Sequence, residues 1–199
     1  MTQTPENKTQ GSRSPRERSR RERAPRDRGK RGNEPELIET VINVRRVSKV
    51  IKGGRRFAFS ALVVVGDGAG SIGVALGKGR DVATAISKAF RRAKKVMFPV
   101  PMYKTTIPFN IIGKHGASSV VLRSAAKGTG VIAGGAVRAV MEALGVRDVL
   151  SKSIGSANPQ NTVKATVNAL QTLRSAKDLA RMRGKTVKEI IGGDDVAAA

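Results

Sequence analysis

The chain has 199 residues, with 38 Lys and Arg against 15 Asp and Glu and a formal net charge of +23. So large an imbalance calls for a polyanionic partner, because a compact domain repels itself without counter-charge. No apolar run approaches the roughly 18 residues of a spanning helix and no secretory signal opens the chain, so a soluble protein that engages no membrane is expected.

Residues 1–34 repeat Arg, Ser, Pro and Glu, as in Arg16-Glu-Arg-Ser-Arg-Arg-Glu-Arg23, and hold almost nothing apolar. Such a segment cannot bury enough surface to offset its ordering entropy, so a disordered basic tail is expected there. It carries 11 of the cations and 5 of the acids, a net +6 of the +23, so +17 resides on the remaining residues. The ordered part is therefore strongly basic in its own right.

From Leu37 the pattern alternates, with Ile38, Thr40, Ile42 and Val44 on one side and Glu39, Asn43 and Arg45 on the other, which predicts a half-buried strand. Phe57 to Val65 reads as its return strand. Between them lies a basic hairpin in which Lys49, Lys52, Arg55 and Arg56 surround Gly53-Gly54, a favoured two-residue turn. Gly66-Asp-Gly-Ala-Gly70 turns the chain into a third strand, Ser71 to Leu76. Gly68-Ala-Gly70-Ser-Ile-Gly73 formally matches the dinucleotide fingerprint, but a strand follows it where a nucleotide fold opens a helix, so a hairpin turn is the reading.

Gly77-Lys-Gly-Arg80 leads to Asp81 as N-cap and a helix from about Val82 to Met97. Val82, Ile86, Ala89, Phe90, Ala93 and Met97 share one face; Lys88, Arg91, Arg92 and Lys95 share the other. Ordinary solvated faces mix signs, and no acid occurs in residues 82–98. Lys78, Arg80 and these helix cations join the hairpin as candidate contacts. Pro99-Val-Pro101 is a linker.

Beyond it, Thr105 to Ile112 and Ser118 to Arg123 read as paired strands joined by Gly113-Lys-His-Gly116. His115 in that turn has no acid or nucleophile to partner it and suits a solvent or RNA contact. Lys127 to Gly135 is a second glycine-rich stretch before a helix with Val137, Val140, Met141 and Leu144 inward and Gly145 as its stop. Its glycines suit either a phosphate held on backbone amides or close backbone packing, and neither glycine loop ends as a P-loop does. Val146 to Ile154 reads as a strand, and Asn158-Pro159 starts a helix with Val163, Val167 and Leu170 buried. Thr186 and Glu189 suit a capping box for a last helix, loosely docked or ordered by a partner.

With five Phe, one Tyr and no Trp, the chain is short of platforms for stacking single-stranded bases. That favours recognition of folded RNA by phosphate contact and shape. Phe57, Phe59, Phe90 and Phe109 fall at inward positions and are assigned to the core. Cysteine is absent, which excludes disulfides and thiolate metal sites and fits a reducing compartment, and the single histidine cannot build a zinc site. No metal, cofactor or small-molecule substrate is expected. A nucleotide-binding enzyme would need an acid, base or metal cluster near its glycines, and only Asp67 lies in the first glycine loop. A free-standing RNA chaperone shares the charge and remains an alternative.

Arg46-Val-Ser-Lys49, Lys52-Gly-Gly-Arg55, Val64-Val-Gly-Asp-Gly68, Gly77-Lys78, Gly128-Thr-Gly-Val-Ile-Ala-Gly-Gly135 and Gly155-Ser-Ala-Asn-Pro159, in this order and spacing, resemble the bacterial form of the ribosomal protein S-five family of the small subunit. The resemblance covers about residues 37–191, and nothing is carried over onto the Arg-rich tail. It implies an α+β protein of two small domains. Residues 35–100 would form a double-stranded-RNA-binding-like three-stranded antiparallel sheet with a covering helix. Residues 101–176 would form an α+β domain of the type named after the family, and 177–199 a C-terminal helix and tail.

The resemblance further implies a non-enzymatic, cytoplasmic constituent of the small ribosomal subunit that binds 16S rRNA, supports assembly and neck structure, and influences translational accuracy. The basic hairpin would reach rRNA near the neck, where Val47, Ser48 and Lys49 match positions whose change confers spectinomycin resistance. Gly128, Thr129, Gly130, Gly134, Gly135 and Arg138 would face the fourth small-subunit protein. The eighth protein, and mRNA where it enters the subunit, are the other implied partners.

Overall fold

A computed structural model describes residues 37–191. The tail expected over 1–34 and the chain end after Ile191 lie outside the described residues. Strands β1 (Ile38–Ile51), β2 (Gly54–Gly66) and β3 (Ser71–Gly79) form an antiparallel sheet, and β4 (Phe98–Pro99) adds a short fourth strand beside β3. That addition falls in the stretch read as a linker: Phe98 pairs with Ile72 and Pro99 with Ser71. An edge position tolerates a proline, which has no ladder donor.

From Ser60 onward β2 is buried on both faces, which explains why Ala61 to Val65 is a continuous apolar run. Ala61, Val63 and Val65 pack against α1 (Val82–Lys95), while Leu62 and Val64 join the larger core shared with the second half. The alternation expected along β1 breaks at a bulge. Val41 pairs with Val63 but Asn43 pairs with Leu62, so Ile42 is an extra residue. Past it Val44 pairs with Ala61, and Asn43 and Arg45 move to the opposite face with Leu62 and Ser60. A one-residue insertion exchanges the two faces.

The buried stripe of α1 is Ala85, Ala89 and Ala93, flanked by partly buried Ile86, Phe90 and Met97. Val82, expected inward, is 38% exposed. Small residues hold the centre because the helix rides against glycines of β3. A Cβ at Gly73 would overlap the Ala93 carbonyl, and one at Gly77 would overlap the Ala85 carbonyl. Gly73 is the last glycine of the fingerprint-like match, and close helix packing accounts for it.

The second sheet has the order β5 (Ile111–His115), β6 (Ser118–Ser124), β8 (Val149–Gly155), β7 (Val131–Ile132), with β7 parallel to β8 and the other pairs antiparallel. Helices α2 (Gly135–Leu144) and α3 (Pro159–Thr172) supply Val137, Val140, Met141, Leu144, Val163 and Leu170 to its core. Three expectations shift. The strand expected from Thr105 starts at Ile111, and Gly113 to His115 belong to it, so the turn falls at Gly116-Ala117 and His115 pairs with Ser118. Gly113 is present for proximity: a Cβ there would overlap the Ala165 carbonyl of α3. The strand expected from Val146 starts at Val149, because the Arg147 and Asp148 amides donate to the Thr105 carbonyl at 2.9 and 3.1 Å. The chain then forms α4 (Ala176–Arg183), not foreseen as a separate helix, and α5 (Val187–Ile191). Ser175 caps α4 by accepting from the Asp178 amide, and the Thr186 hydroxyl accepts from the Glu189 amide, one of the two bonds of the expected capping box.

The loop between β2 and β3 fastens the first sheet to α2. The Gly68 and Gly70 amides donate to the carbonyls of Ala143 and Leu144, both at 3.1 Å, satisfying acceptors that the end of a helix otherwise leaves unpaired. Asp67 shapes this loop by accepting from the Ala69 and Ser71 amides, each at 2.8 Å. Partial burial works against its charge, but the Ser71 and Ala69 amides outweigh it and hold the carboxyl below the usual range. Gly145 ends α2 at φ +90, where a Cβ would overlap the Gly68 carbonyl.

Candidate nucleic-acid interface

β3 pairs with β2 only from Phe59 to Gly66, so the rest of the β1–β2 ladder projects as a two-stranded arm. Every residue from Val44 to Phe57 is exposed. The turn expected at Gly53-Gly54 closes one residue earlier: Ile51 pairs with Gly54, leaving Lys52-Gly53 as the turn, with Gly53 at φ +84. Lys52 therefore sits in the turn itself, and Arg55 pairs with Val50 just behind it.

Phe57, assigned to the core, is 51% exposed. Phe59, two residues on, packs partly against the α1 core, so the alternation identifies the right face. The cover on that face ends before Phe57. Arg46 fills the gap across the strand pair, with its guanidinium carbon 4.5 Å from the Phe57 ring centroid. A cation over an aromatic face is attracted by the ring quadrupole, and here it steadies an arm that lacks a third strand. Arg46 was not among the candidate contacts. Its diagonal relation to Phe57 across a hairpin is the signal that marks it.

Between the arm and the end of β3 lies an open cleft of about 750 Å³, lined by Val47, Ser48, Lys49, Arg56, Phe57, Ala58, Lys78 and Arg80. Four cations line it and no acid does. Six predicted contact residues from three stretches of sequence thus meet. β1 and β2 bring the arm residues, Lys78 stands on β3 opposite Ser60, and Arg80 follows β3 just before the Asp81 N-cap of α1. In that cap the Thr84 hydroxyl donates to the Asp81 carbonyl at 2.9 Å.

The other predicted cations do not line the cleft. Lys52 and Arg55 belong to the arm tip, and Lys88, Arg91, Arg92 and Lys95 are exposed on α1. Arg92 has a structural bond as well, donating to the Leu76 carbonyl of β3 at 3.1 Å. Among the described residues one ion pair forms, Lys94 to Glu39 at 3.0 Å. The remaining cations of the arm and of α1 are therefore not neutralised by acids of the described chain.

The second predicted set surrounds the loop before α2. The Gly128 and Gly130 amides both donate to Asp148 Oδ1, at 2.9 and 3.1 Å. Asp148 is 4% exposed; the Thr105 hydroxyl foremost, with the Gly130 amide, holds its carboxyl below the usual range against the penalty of burial. The chain's own carboxylate thus occupies two of the amides considered for a phosphate. Around Gly128, Gly130, Gly134 and Gly135 a Cβ would meet no atom within 4 Å, so close packing within the chain does not explain them; left-handed φ of +93 and +77 accounts for Gly128 and Gly130. Thr129 is tied locally to the Ala126 carbonyl at 2.8 Å, and Arg138 donates to Val131 at 3.4 Å. Asp148 went unrecognised because nothing in its neighbourhood of sequence shows the loop that it holds. Among the described residues no group of three or more His, Cys, Asp or Glu is placed to hold a metal, and no helix is long and apolar enough to cross a membrane.

Comparison with known proteins divides the chain along the same lines. Residues 37–101 match the family described as ribosomal protein S5, N-terminal domain, and residues 113–183 the one described as ribosomal protein S5, C-terminal domain. The chain is 55% identical over 155 residues to the small ribosomal subunit protein uS5 of Syntrophobacter fumaroxidans, covering 78% of this chain and 93% of that protein. It is 53% identical over 156 residues to the protein of the same name from Lawsonia intracellularis, covering 78% and 96%, and 51% identical over 160 residues to that of Bordetella petrii, covering 80% and 92%. With both domains matched in order and relatives of this identity aligned over nearly their whole length, the chain belongs to the ribosomal protein S5 family, whose members are structural and not enzymatic.

Proposed function

We propose that this chain is a structural constituent of the small ribosomal subunit in the cytoplasm, binding 16S rRNA through the basic arm, the cleft at its base and the cationic face of α1. The observation that carries the reading is the meeting of Lys49, Arg56, Lys78 and Arg80 around one cleft that no acid lines. The arm and the end of β3 bring these cations together, so phosphate contacts supply affinity and position while the fold of the RNA supplies specificity. The names of the relatives support the ribosomal setting.

Within that setting the family resemblance supports finer roles: arm residues Val47, Ser48 and Lys49 near the neck of the subunit, and a part in assembly, accuracy and the path by which mRNA enters. The Gly128 to Arg138 surface suits the fourth small-subunit protein, since Gly134 and Gly135 face open space in this chain without a left-handed φ to require them. The eighth protein is a further neighbour. A salt titration of rRNA binding tests the electrostatic core of the reading. For about six to ten phosphate contacts, raising salt from roughly 50 to 200 mM should weaken binding by on the order of 10³–10⁵, by analogy with duplex DNA. A flat response would contradict it.

A further inference from the structure

Phe57 does nothing for the core, yet half of its surface is open in a chain with five Phe, one Tyr and no Trp. Its ring is held: Arg46 lies 4.5 Å from the centroid, and Ser48 is its pairing partner across the arm. A ring fixed in this way loses little entropy on binding, which is the property of a preorganised contact. It borders the same open cleft as Lys49, Arg56, Lys78 and Arg80 at the free edge of β2, its ring on the face of Phe59 and Lys49, Arg56 and Lys78 on the other. A base within a continuous A-form helix cannot reach such a ring, because its faces are covered by neighbouring bases and the major groove is too deep and narrow for side chains.

We infer that an unpaired base of an RNA stacks on Phe57 beside Arg46, while the adjoining backbone phosphates pass around the open edge of β2 to Lys49, Arg56, Lys78 and Arg80. The inference rests on the RNA-binding reading above and adds a structural demand to it: the bound RNA carries a bulged or splayed base where the arm meets β3. Stacking tolerates any base, since every base has a π-face, so the site reads the absence of pairing and not the sequence.

The test uses the full chain and three versions of one RNA hairpin: a single bulged 2-aminopurine, the same base paired within the stem, and an abasic residue at the bulge. The expected result is tighter binding of the bulged hairpin than of the other two, by roughly 5- to 150-fold, the range that stacking of one base contributes. Quenching of 2-aminopurine fluorescence should accompany binding. Phe57→Tyr keeps the preference and the quenching; Phe57→Leu loses both while retaining affinity for the paired stem. Equal affinity for all three hairpins overturns the inference and leaves the RNA-binding reading standing. So does quenching that survives in Phe57→Leu. Failure to bind any of the three at low salt overturns both. Should Phe57→Leu not fold, the comparison of bulged with abasic RNA on the unaltered chain decides by itself.

Discussion

Replacing Gly77 by alanine separates two explanations for the glycines of the first sheet, close packing and loop chemistry. A Cβ at Gly77 would overlap the Ala85 carbonyl and lie 2.6 Å from the Ala89 nitrogen and 2.9 Å from the Ala89 Cβ. Carbon atoms rest about 3.5–4.0 Å apart, so α1 must lift by roughly 1 Å. A gap of that size forfeits a quarter to a half of each contact along the stripe of Ala85, Ala89 and Ala93. Overpacking of a core commonly destabilises by about 1–3 kcal/mol, and the helix-wide loss places Gly77→Ala towards the upper end. The reduced freedom of the unfolded chain offsets about 0.4–1 kcal/mol, for a net loss of about 2 kcal/mol. Gly54→Ala is the control, because no atom lies within 4 Å of its Cβ and its φ is not left-handed. It should be neutral, or stabilising by up to about 1 kcal/mol. Urea unfolding followed by circular dichroism reads both, with a midpoint lower by about 1 M for Gly77→Ala if the slope is about 2 kcal/mol/M. Equal midpoints for the two variants would refute the packing explanation.

Other perturbations address the arm, the second loop and the join between the halves. Arg55→Ala with Arg56→Ala should weaken rRNA binding and leave the circular dichroism spectrum unchanged, since both side chains are exposed on the arm; loss of fold would mean the pair is structural. Gly145→Ala places a side chain at φ +90 against the Gly68 carbonyl and should lower stability by about 1–3 kcal/mol, read as a fall in Tm. Asp148 binds its proton less readily in the folded chain than in the unfolded one, so its contribution is present above the unfolded carboxylate pKa of about 3.9 and is lost as pH falls through the lower folded value. Asp148→Asn should therefore flatten the dependence of Tm on acid pH, with Asp67 and Asp178, also held low, supplying what remains. Identical acid profiles for the variant and the unaltered chain would remove Asp148 from that role.

Strand and helix order in the described region follows from apolar periodicity, and two of the misplacements trace to glycine. Gly113 looks like a turn and is a point of contact with Ala165; Gly54 looks like half of a turn and is a paired strand residue. A glycine marks that something is near or that φ is positive, and local sequence does not distinguish the two. The bulge at Ile42 was illegible for a related reason, since an alternating pattern does not record the register of its partner strand. β7 is two residues long, too short for any period to show. At the site, the charges of the cleft were legible as composition and hairpin, because Lys49, Arg56, Lys78 and Arg80 are close in sequence to one sheet. Asp148 was not, because its role depends on Gly128 and Gly130 being brought to it by the parallel pairing of β7 with β8. Phe57 was misassigned because periodicity reports a face and not where its cover ends.

Footprinting of the full chain on small-subunit rRNA tests the central claim most directly. Protection should be confined to one region of the RNA. It should be lost there when Lys49, Arg56, Lys78 and Arg80 are together changed to Gln, with the circular dichroism spectrum retained. Protection spread along the whole RNA, or confined protection that survives removal of the four cleft cations, would contradict the account.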